Sequence, residues 1–170
     1  VQEYSQVHES SDATPVDTGY IDSDDTIEPQ REMVNAIHGQ GSKAFVELWH
    51  GGMTAANKGS REPSLSSSQI PSGRYFTPKE MEYEDIREIV DAFGEAAARA
   101  RKIGYDGIEF HAAHGYLISQ FLSPFYNDRD DEYGGSLENR MRFFRELIEI
   151  VKENVSDDMA VGTRYTIDER

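Results

Sequence analysis

The chain is organised around residues 104–145, which read GYDGIEFHAAHGYLISQFLSPFYNDRDDEYGGSLENRMRFFR. Within this stretch, the run Tyr105–Phe110 is short, apolar and bounded by a glycine, so it predicts a buried strand. His111, His114 and Tyr116 follow at the carboxyl end of that strand. In parallel α/β folds, ligands bind and catalytic side chains lie at this end of the sheet. The stretch therefore predicts a functional site built on a parallel strand.

Three more short segments read as strands, the first of them from a loose alternation of apolar and polar residues, and helical patterns separate them along the chain. These runs are Val1–Val7, Lys43–Trp49 and Met159–Tyr165. The expected helix signals are a cap at Thr26, a capping box at Thr77–Glu80, a C-cap at Gly104 and a cap at Ser136. Strand and helix thus alternate, which predicts right-handed βαβ units and a parallel sheet.

Two long sequence runs carry a family resemblance. The run EFHAAHGYLISQFLSP begins at Glu109, and NDRDDEYGGSLENRMRF begins at Asn127. Together they resemble the active-site segment of the Old Yellow Enzyme family of FMN-dependent oxidoreductases, whose members are (β/α)8 barrels. ELWHGG at Glu47–Gly52 and GTR at Gly162–Arg164 fall where the neighbouring strands of that family contact the flavin. The resemblance implies an α/β fold of the (β/α)8 TIM barrel class, represented here by approximately strands two to five.

Length limits how much of such a barrel the chain can hold. A (β/α)8 barrel takes ~250 residues, whereas this chain has 170. We therefore expect residues 1–170 to form one partial FMN-binding oxidoreductase domain, a fragment of about half the barrel with two unpaired strand edges. Loops after strands seven and eight hold the FMN phosphate in such barrels. Because those strands are not expected here, the fragment alone is expected to be inactive.

Composition argues against several classes of partner. The chain has 17 Lys and Arg against 32 Asp and Glu, a formal net charge of -15 at pH 7, which repels nucleic acid and anionic membrane surfaces. No apolar run approaches the ~18 residues of a membrane span. Without cysteine, thiolate metal sites and iron–sulfur ligation cannot be built from this chain. We expect a cytoplasmic protein that acts on a small molecule without a metal, and a homo-oligomer is compatible with the full-length protein.

His111 and His114 lie three residues apart where the predicted strand ends, so both rings can point into one pocket and donate to a single oxygen. From spacing alone, a catalytic pair, a buried structural pair and a metal site remain open, although the metal site lacks a third ligand in the pattern. The resemblance implies that the pair hydrogen-bonds the substrate carbonyl and stabilises the negative charge that develops during hydride addition.

The resemblance also implies roles for Tyr116 and Arg164. Tyr116 matches the family tyrosine that gives a proton to the carbon next to the one receiving hydride, and a phenol with a pKa of ~10 keeps that proton at neutral pH. Arg164 matches an arginine near flavin N1 and O2, where a fixed cation stabilises the reduced flavin. Packing under the loop and an ordinary ion pair are the structural alternatives for these two residues.

Two positions are typical of a different branch of the family. Glu47 stands where ene reductases commonly carry a glutamine against the flavin pyrimidine edge, and Tyr4 follows a glutamate near the chain start. Both features resemble the trimethylamine and dimethylamine dehydrogenases, which makes Tyr4 a candidate substrate contact. That branch carries tyrosine where this chain has His111, so different positions resemble different branches of the family.

Three functions remain open. The first is an FMN-dependent oxidoreductase that transfers hydride from NADH or NADPH through FMN to an activated alkene or an enoyl acceptor, as in ene reductases and 2,4-dienoyl-CoA reductase. The second is an FMN-dependent amine dehydrogenase, whose iron–sulfur cluster would have to lie in a C-terminal part outside this chain. The third is a non-catalytic half barrel.

The segment Arg129–Arg140 is the most recognisable part of the resemblance, and we predict that its role is structural. Gly134 and Gly135 allow positive φ in a tight turn. The flanking charges can fix that turn onto the following helix. We therefore assign no chemistry to this segment.

Overall fold

The computed structural model describes residues 1–12, 19–71 and 77–167. Its strands are β1 Gln2–Gln6, β2 Gly19–Tyr20, β3 Phe45–Trp49, β4 Leu65–Ser66, β5 Lys79–Glu80, β6 Gly107–Ala112 and β7 Ala160–Tyr165. Its helices are α1 Ile27–His38, α2 Tyr83–Ile103, α3 Leu117–Leu122, α4 Leu137–Arg140 and α5 Arg142–Asn154. Among these helices, none has both the length and the apolar character needed to cross a membrane.

The sheet has five strands in the order β2-β1-β3-β6-β7, and β4 and β5 form a separate ribbon. Every pair in the sheet is parallel. The four strands predicted from the sequence are confirmed, and they stand side by side in chain order, as βαβ units require. The two-residue strand β2 was not predicted, because so short a segment carries no periodicity.

Side-chain alternation gives the sheet two different faces. One face packs against α2 and α5, where Phe110 lies with its ring centroid 6.1 Å from Phe93 and 5.4 Å from Phe144. Burial of each such apolar side chain contributes ~2–3 kcal/mol. Successive residues of a strand point to opposite faces. Glu47 and Glu109 therefore lie on the other face of the sheet, called the inner face here, which does not pack against α2 and α5. The inner face therefore carries the polar side chains of the predicted site.

The capping box predicted at Thr77–Glu80 is wrong. The last two of these residues form β5 beside β4, and the amide of Lys79 donates to the carbonyl of Ser64 at 2.8 Å. Because strand pairing holds this segment extended, α2 begins only after Glu82. A capping box does exist there, formed by Glu82 with Asp85, whose carboxylate accepts from the Glu82 amide at 2.8 Å.

The other helix signals have mixed outcomes. Thr26 precedes α1 but does not cap it, because its hydroxyl donates to the carbonyl of Ser23 at 2.7 Å. Gly104 ends α2 with a left-handed φ of 101°, as predicted. Ser136 is confirmed as a cap, since its hydroxyl accepts from the amide of Asn139 at 3.2 Å. The helix that follows is divided into α4 and α5.

The signature segment fixes a turn against the β4–β5 ribbon. Nη1 of Arg129 donates to the carbonyls of Ser67 at 2.9 Å and Met81 at 2.7 Å. Gly135 has a φ of 75°, as predicted, whereas Gly134 is not left-handed. A Cβ on Gly134 would lie 2.1 Å from the backbone oxygen of Arg129, so close backbone approach explains that glycine. These contacts support a structural role for the segment.

Candidate functional site

Strand β6 positions the first residue of the candidate site. The predicted strand end at Phe110 is wrong by two residues, because pairing with β7 continues through His111, opposite Arg164, to Ala112, opposite Tyr165. His111 therefore lies within a regular strand, on the same inner face as Arg164. A strand holds a side chain more firmly than a loop does.

The chain after β6 turns sharply and brings Tyr116 back toward His111. His114 and Gly115 both have left-handed backbones, with φ of 58° and 72°, and such a conformation is uncommon for any residue but glycine. Tyr116 immediately precedes α3, a short helix that the sequence did not indicate. The amide of Leu117 donates to the carbonyl of His50 at 3.0 Å, which anchors this helix to the end of β3.

Four residues proposed from the sequence form one cluster of rings. The ring centroid of His111 lies 5.0 Å from that of His114 and 4.7 Å from that of Tyr116. Tyr4 stacks on His111 at 5.5 Å, with 19° between the ring planes. Within the described ranges, no third ligand completes a metal site with the two histidines. The structure thus brings Tyr4, His111, His114 and Tyr116 to one place.

Trp49 belongs to the same cluster, and sequence reasoning missed it. Its ring centroid lies 5.4 Å from that of Tyr116 and 5.8 Å from that of Tyr4, both edge-to-face. The indole is buried, and among the described residues its Nε1 has no hydrogen-bond partner. The sequence did contain a signal for Trp49. It lies two residues after the proposed site residue Glu47, and alternate residues of a strand lie on the same face.

A β-bulge in β1 directs Tyr4 into the cluster. The register with β3 shifts between Gln2 and Ser5, and Tyr4 has a left-handed φ of 51°. Its amide donates to Oε1 of Glu47 at 3.3 Å. Bulges of this kind re-aim a side chain and are frequent beside active sites.

Charged groups form the floor of the site. Glu47 is fully buried, and its Oε2 lies 3.4 Å from Nη1 of Arg164. The same guanidinium nitrogen lies 3.3 Å from Oε1 of Glu3. Nε2 of His111 is 3.8 Å from Oε1 of Glu47, which is beyond hydrogen-bond distance. The two cofactor residues proposed from the sequence, Glu47 and Arg164, are thus direct neighbours.

Burial determines the protonation of the two innermost groups. It raises the pKa of Glu47 to about 7, while the Tyr4 amide and Arg164 act in the opposite direction. Burial also lowers the pKa of His111 to about 4, and the charges of His114 and Arg164 reinforce that effect. His111 is therefore a neutral imidazole at pH 7. Neither of its ring nitrogens has a partner among the described residues, so its one N–H is available to a ligand.

A cleft of 280 Å³ opens beside the cluster. Its walls include His114, Met53 and Ile70, and the exposed ring of Phe125 lies at its rim. Thr54 and Tyr126 add polar groups to the lining beside the histidine. The cleft offers a route by which a small organic molecule can reach the ring cluster.

Comparison with known proteins decides the family. The model of the NADH:flavin oxidoreductase / NADH oxidase family matches residues 1–170. The chain belongs to this family. NADPH dehydrogenase of Bacillus subtilis is 46% identical over 154 residues, which are 90% of this chain and 44% of that relative.

Two solved structures of the family superpose closely on the chain. Histamine dehydrogenase from Rhizobium sp. 4-9 gives a TM-score of 0.92 at 36% identity, covering 99% of this chain and 25% of that one. Morphinone reductase gives a TM-score of 0.90 at 28% identity, covering 98% of this chain and 51% of that one. The predicted TIM barrel class and the Old Yellow Enzyme resemblance are therefore confirmed. The chain spans about half of the length of the morphinone reductase structure and corresponds to a partial barrel.

Proposed function

We propose that a complete barrel containing this chain is an FMN-dependent oxidoreductase that passes hydride from NADH or NADPH to an activated alkene or enoyl acceptor. Residues 1–170 contribute one partial FMN-binding domain to it. The observation that carries the proposal is the buried, neutral His111 with unpaired ring nitrogens, packed against His114 and Tyr116. FMN, when bound, supplies the hydride transfer.

The floor of the site fits the pyrimidine edge of a flavin. That edge alternates acceptor oxygens with an N–H donor, and it needs partners of both kinds. Arg164 is a donor only, and Glu47 is buried beside it with a pKa raised to about 7. We propose that these two residues bind the flavin from the inner face. Arg164 in addition provides the fixed positive charge that favours a reduced, anionic ring.

The histidine pair holds the acceptor in this proposal. Two imidazoles can each donate one N–H to the same carbonyl oxygen, and the 5.0 Å separation of their rings is compatible with that geometry. Their donors then stabilise the negative charge that develops on the oxygen as hydride adds to the conjugated carbon. Tyr116, 4.7 Å from His111 between ring centroids, gives its phenolic proton to the neighbouring carbon in this proposal.

Amine oxidation is the second candidate, and the aromatic wall favours it. Tyr4, Trp49 and Tyr116 surround the site with rings that meet edge-to-face, and such walls attract organic cations. The similarity to histamine dehydrogenase points in the same direction. An amine dehydrogenase of this type would need an iron–sulfur cluster to accept the electrons, and that cluster would have to lie outside residues 1–170. His111 argues for the first candidate, because an amine presents no oxygen to a pair of N–H donors.

The test is to purify a complete barrel containing this chain and to measure its FMN content and turnover. We expect bound FMN, and NADPH or NADH consumption that depends on an enone such as cyclohexenone. Arg164→Met should weaken FMN binding. Arg87→Met is the matched control, because Arg87 lies on α2 and its ion pairs with other described residues are 3.8 Å long. A folded barrel that takes up no FMN would contradict the proposed function and would favour a non-catalytic half barrel.

A further inference from the structure

A fully buried glutamine lies one helical turn after the proposed proton donor. Burial of the amide of Gln120 is unfavourable unless hydrogen bonds replace those it makes to water. Its Nε2 donates to the carbonyl of Gly115 at 2.6 Å and to that of Gly51 at 3.4 Å, and its Oε1 accepts from the amide of Met53 at 3.2 Å. The nitrogen thus faces two acceptors and the oxygen faces a donor, which fixes the orientation of the amide group.

Gln120 holds the peptide groups on both sides of Tyr116. Its main-chain amide donates to the carbonyl of Tyr116 at 2.9 Å, and its side chain holds the carbonyl of the preceding residue, Gly115. The turn that ends there contains two consecutive left-handed residues, His114 and Gly115, and local preferences do not favour that conformation. The side chain of Gln120 therefore stabilises the turn from which Tyr116 enters the site.

The same amide ties this turn to the loop after β3. Gly52 has a left-handed φ of 59°, and a Cβ added there would lie 2.7 Å from Cδ of Gln120. The backbone of the loop thus passes directly against the buried amide. Met53, the next residue, lines the same cleft as His114. Gln120 consequently fixes the cleft wall and the catalytic turn relative to each other.

Ring packing alone leaves the position of the Tyr116 phenol loosely defined. Its ring meets those of His111 and Trp49 edge-to-face, and such contacts are favourable over a range of centroid separations of ~4.5–7 Å. Proton transfer needs a narrower geometry. We propose that Gln120 is a positioning residue for Tyr116, which it acts on by holding the turn that carries it. The inference rests on the proposed function, in which Tyr116 is the proton donor.

Gln120→Met keeps the size of the side chain and removes its three hydrogen bonds. Because misplacement of a reacting group by ~1 Å costs up to ~10²-fold in rate, enone reduction should slow by ~10–10²-fold. The reductive half-reaction should stay within ~twofold of wild type, whereas general damage to the fold would slow both. Gln30→Met is the matched control. Gln30 is a buried glutamine on α1 whose Oε1 accepts from the hydroxyl of Tyr105 at 2.8 Å, and its loss should change neither half-reaction.

A double-mutant cycle with Tyr116→Phe separates positioning from a merely structural role. If Gln120 acts through the phenolic hydroxyl, Gln120→Met should slow enone reduction of the Tyr116→Phe enzyme by no more than ~twofold. A further loss of ~10–10²-fold in the double variant, equal to that in wild type, would overturn the proposal. Gly52→Ala is a second variant, which keeps Gln120 but displaces its amide. It should show the same coupling to Tyr116→Phe.

Amide hydrogen exchange tests the contact in the complete barrel without FMN. The amide of Met53 donates to Gln120, and the amide of Tyr116 donates to the carbonyl of Ala113 at 3.2 Å. Both should exchange about tenfold faster in Gln120→Met, since one hydrogen bond contributes about that factor, and neither should change in Gln30→Met. Unchanged exchange at Tyr116 would overturn the positioning role. If both amides respond but wild type reduces no enone, it is the proposed function that fails.

Discussion

Replacement of Arg129 by Met tests the prediction that the signature segment is structural. The side chain of Arg129 is 6% exposed, and Met keeps most of its apolar stem while it removes the guanidinium. Nη1 donates to the carbonyls of Ser67 and Met81 at 2.9 and 2.7 Å. Both of these residues are fully buried, so water cannot easily replace the lost donor. The variant therefore leaves two buried acceptors without their charged partner.

The magnitude follows from those two bonds. A hydrogen bond from a charged donor contributes ~1.5–3 kcal/mol, so Arg129→Met should lower the free energy of unfolding by about 3–6 kcal/mol. The ion pair with Asp131 adds little, because that carboxylate is 42% exposed and water screens it. Urea denaturation of a complete barrel measures the change as a shift in midpoint at constant slope.

A matched control separates this loss from a general effect of removing an arginine. The side chain of Arg87 is 44% exposed and makes two ion pairs of 3.8 Å, so Arg87→Met should cost no more than about 1 kcal/mol. Equal stability of Arg129→Met and wild type would refute the reasoning. So would a stable Arg129→Met variant that loses FMN or substrate binding, because the segment would then have a chemical role.

The remaining predictions concern the site and the sheet edges. Tyr116→Phe should leave the reductive half-reaction intact and slow enone reduction by ~10²–10⁴-fold, as followed by stopped-flow absorbance, whereas the exposed Tyr83→Phe should change neither. His111→Ala or His114→Ala should weaken the binding of phenol-like ligands and slow the oxidative half-reaction by ~10²–10³-fold, and unchanged ligand binding would contradict the donor role. Isolated residues 1–170 should self-associate through unpaired strand edges. A monomer in light scattering that unfolds cooperatively on heating would contradict this prediction.

Much of the fold could be predicted because its strands and long helices carry strong local patterns. The apolar run before His111 indicates a strand, and the apolar repeat of α2 indicates a helix. The capping box at Thr77–Glu80 misled because the pairing of β5 with β4, a non-local interaction, determines where α2 begins. The short helix α3 likewise depends on contacts with the end of β3 that no local pattern encodes.

Some residues of the site could likewise be predicted from the sequence, and others could not. Sequence motifs were sufficient to select His111, His114 and Tyr116, and parallel pairing then brings Arg164 beside His111. Trp49 was missed as a site residue, because its importance arises from cross-strand neighbours and not from a motif. The bulge that places Tyr4 over His111 is also invisible in the sequence, since it is a shift of register between two strands.

Stopped-flow measurement of both half-reactions in a complete, FMN-loaded barrel tests the central claim most directly. If His111 and His114 hold a carbonyl oxygen, NADPH or NADH should reduce the enzyme, an enone should reoxidise it rapidly, and dimethylamine should leave it oxidised. Reduction driven by dimethylamine together with no enone turnover would contradict this account and would favour an amine dehydrogenase.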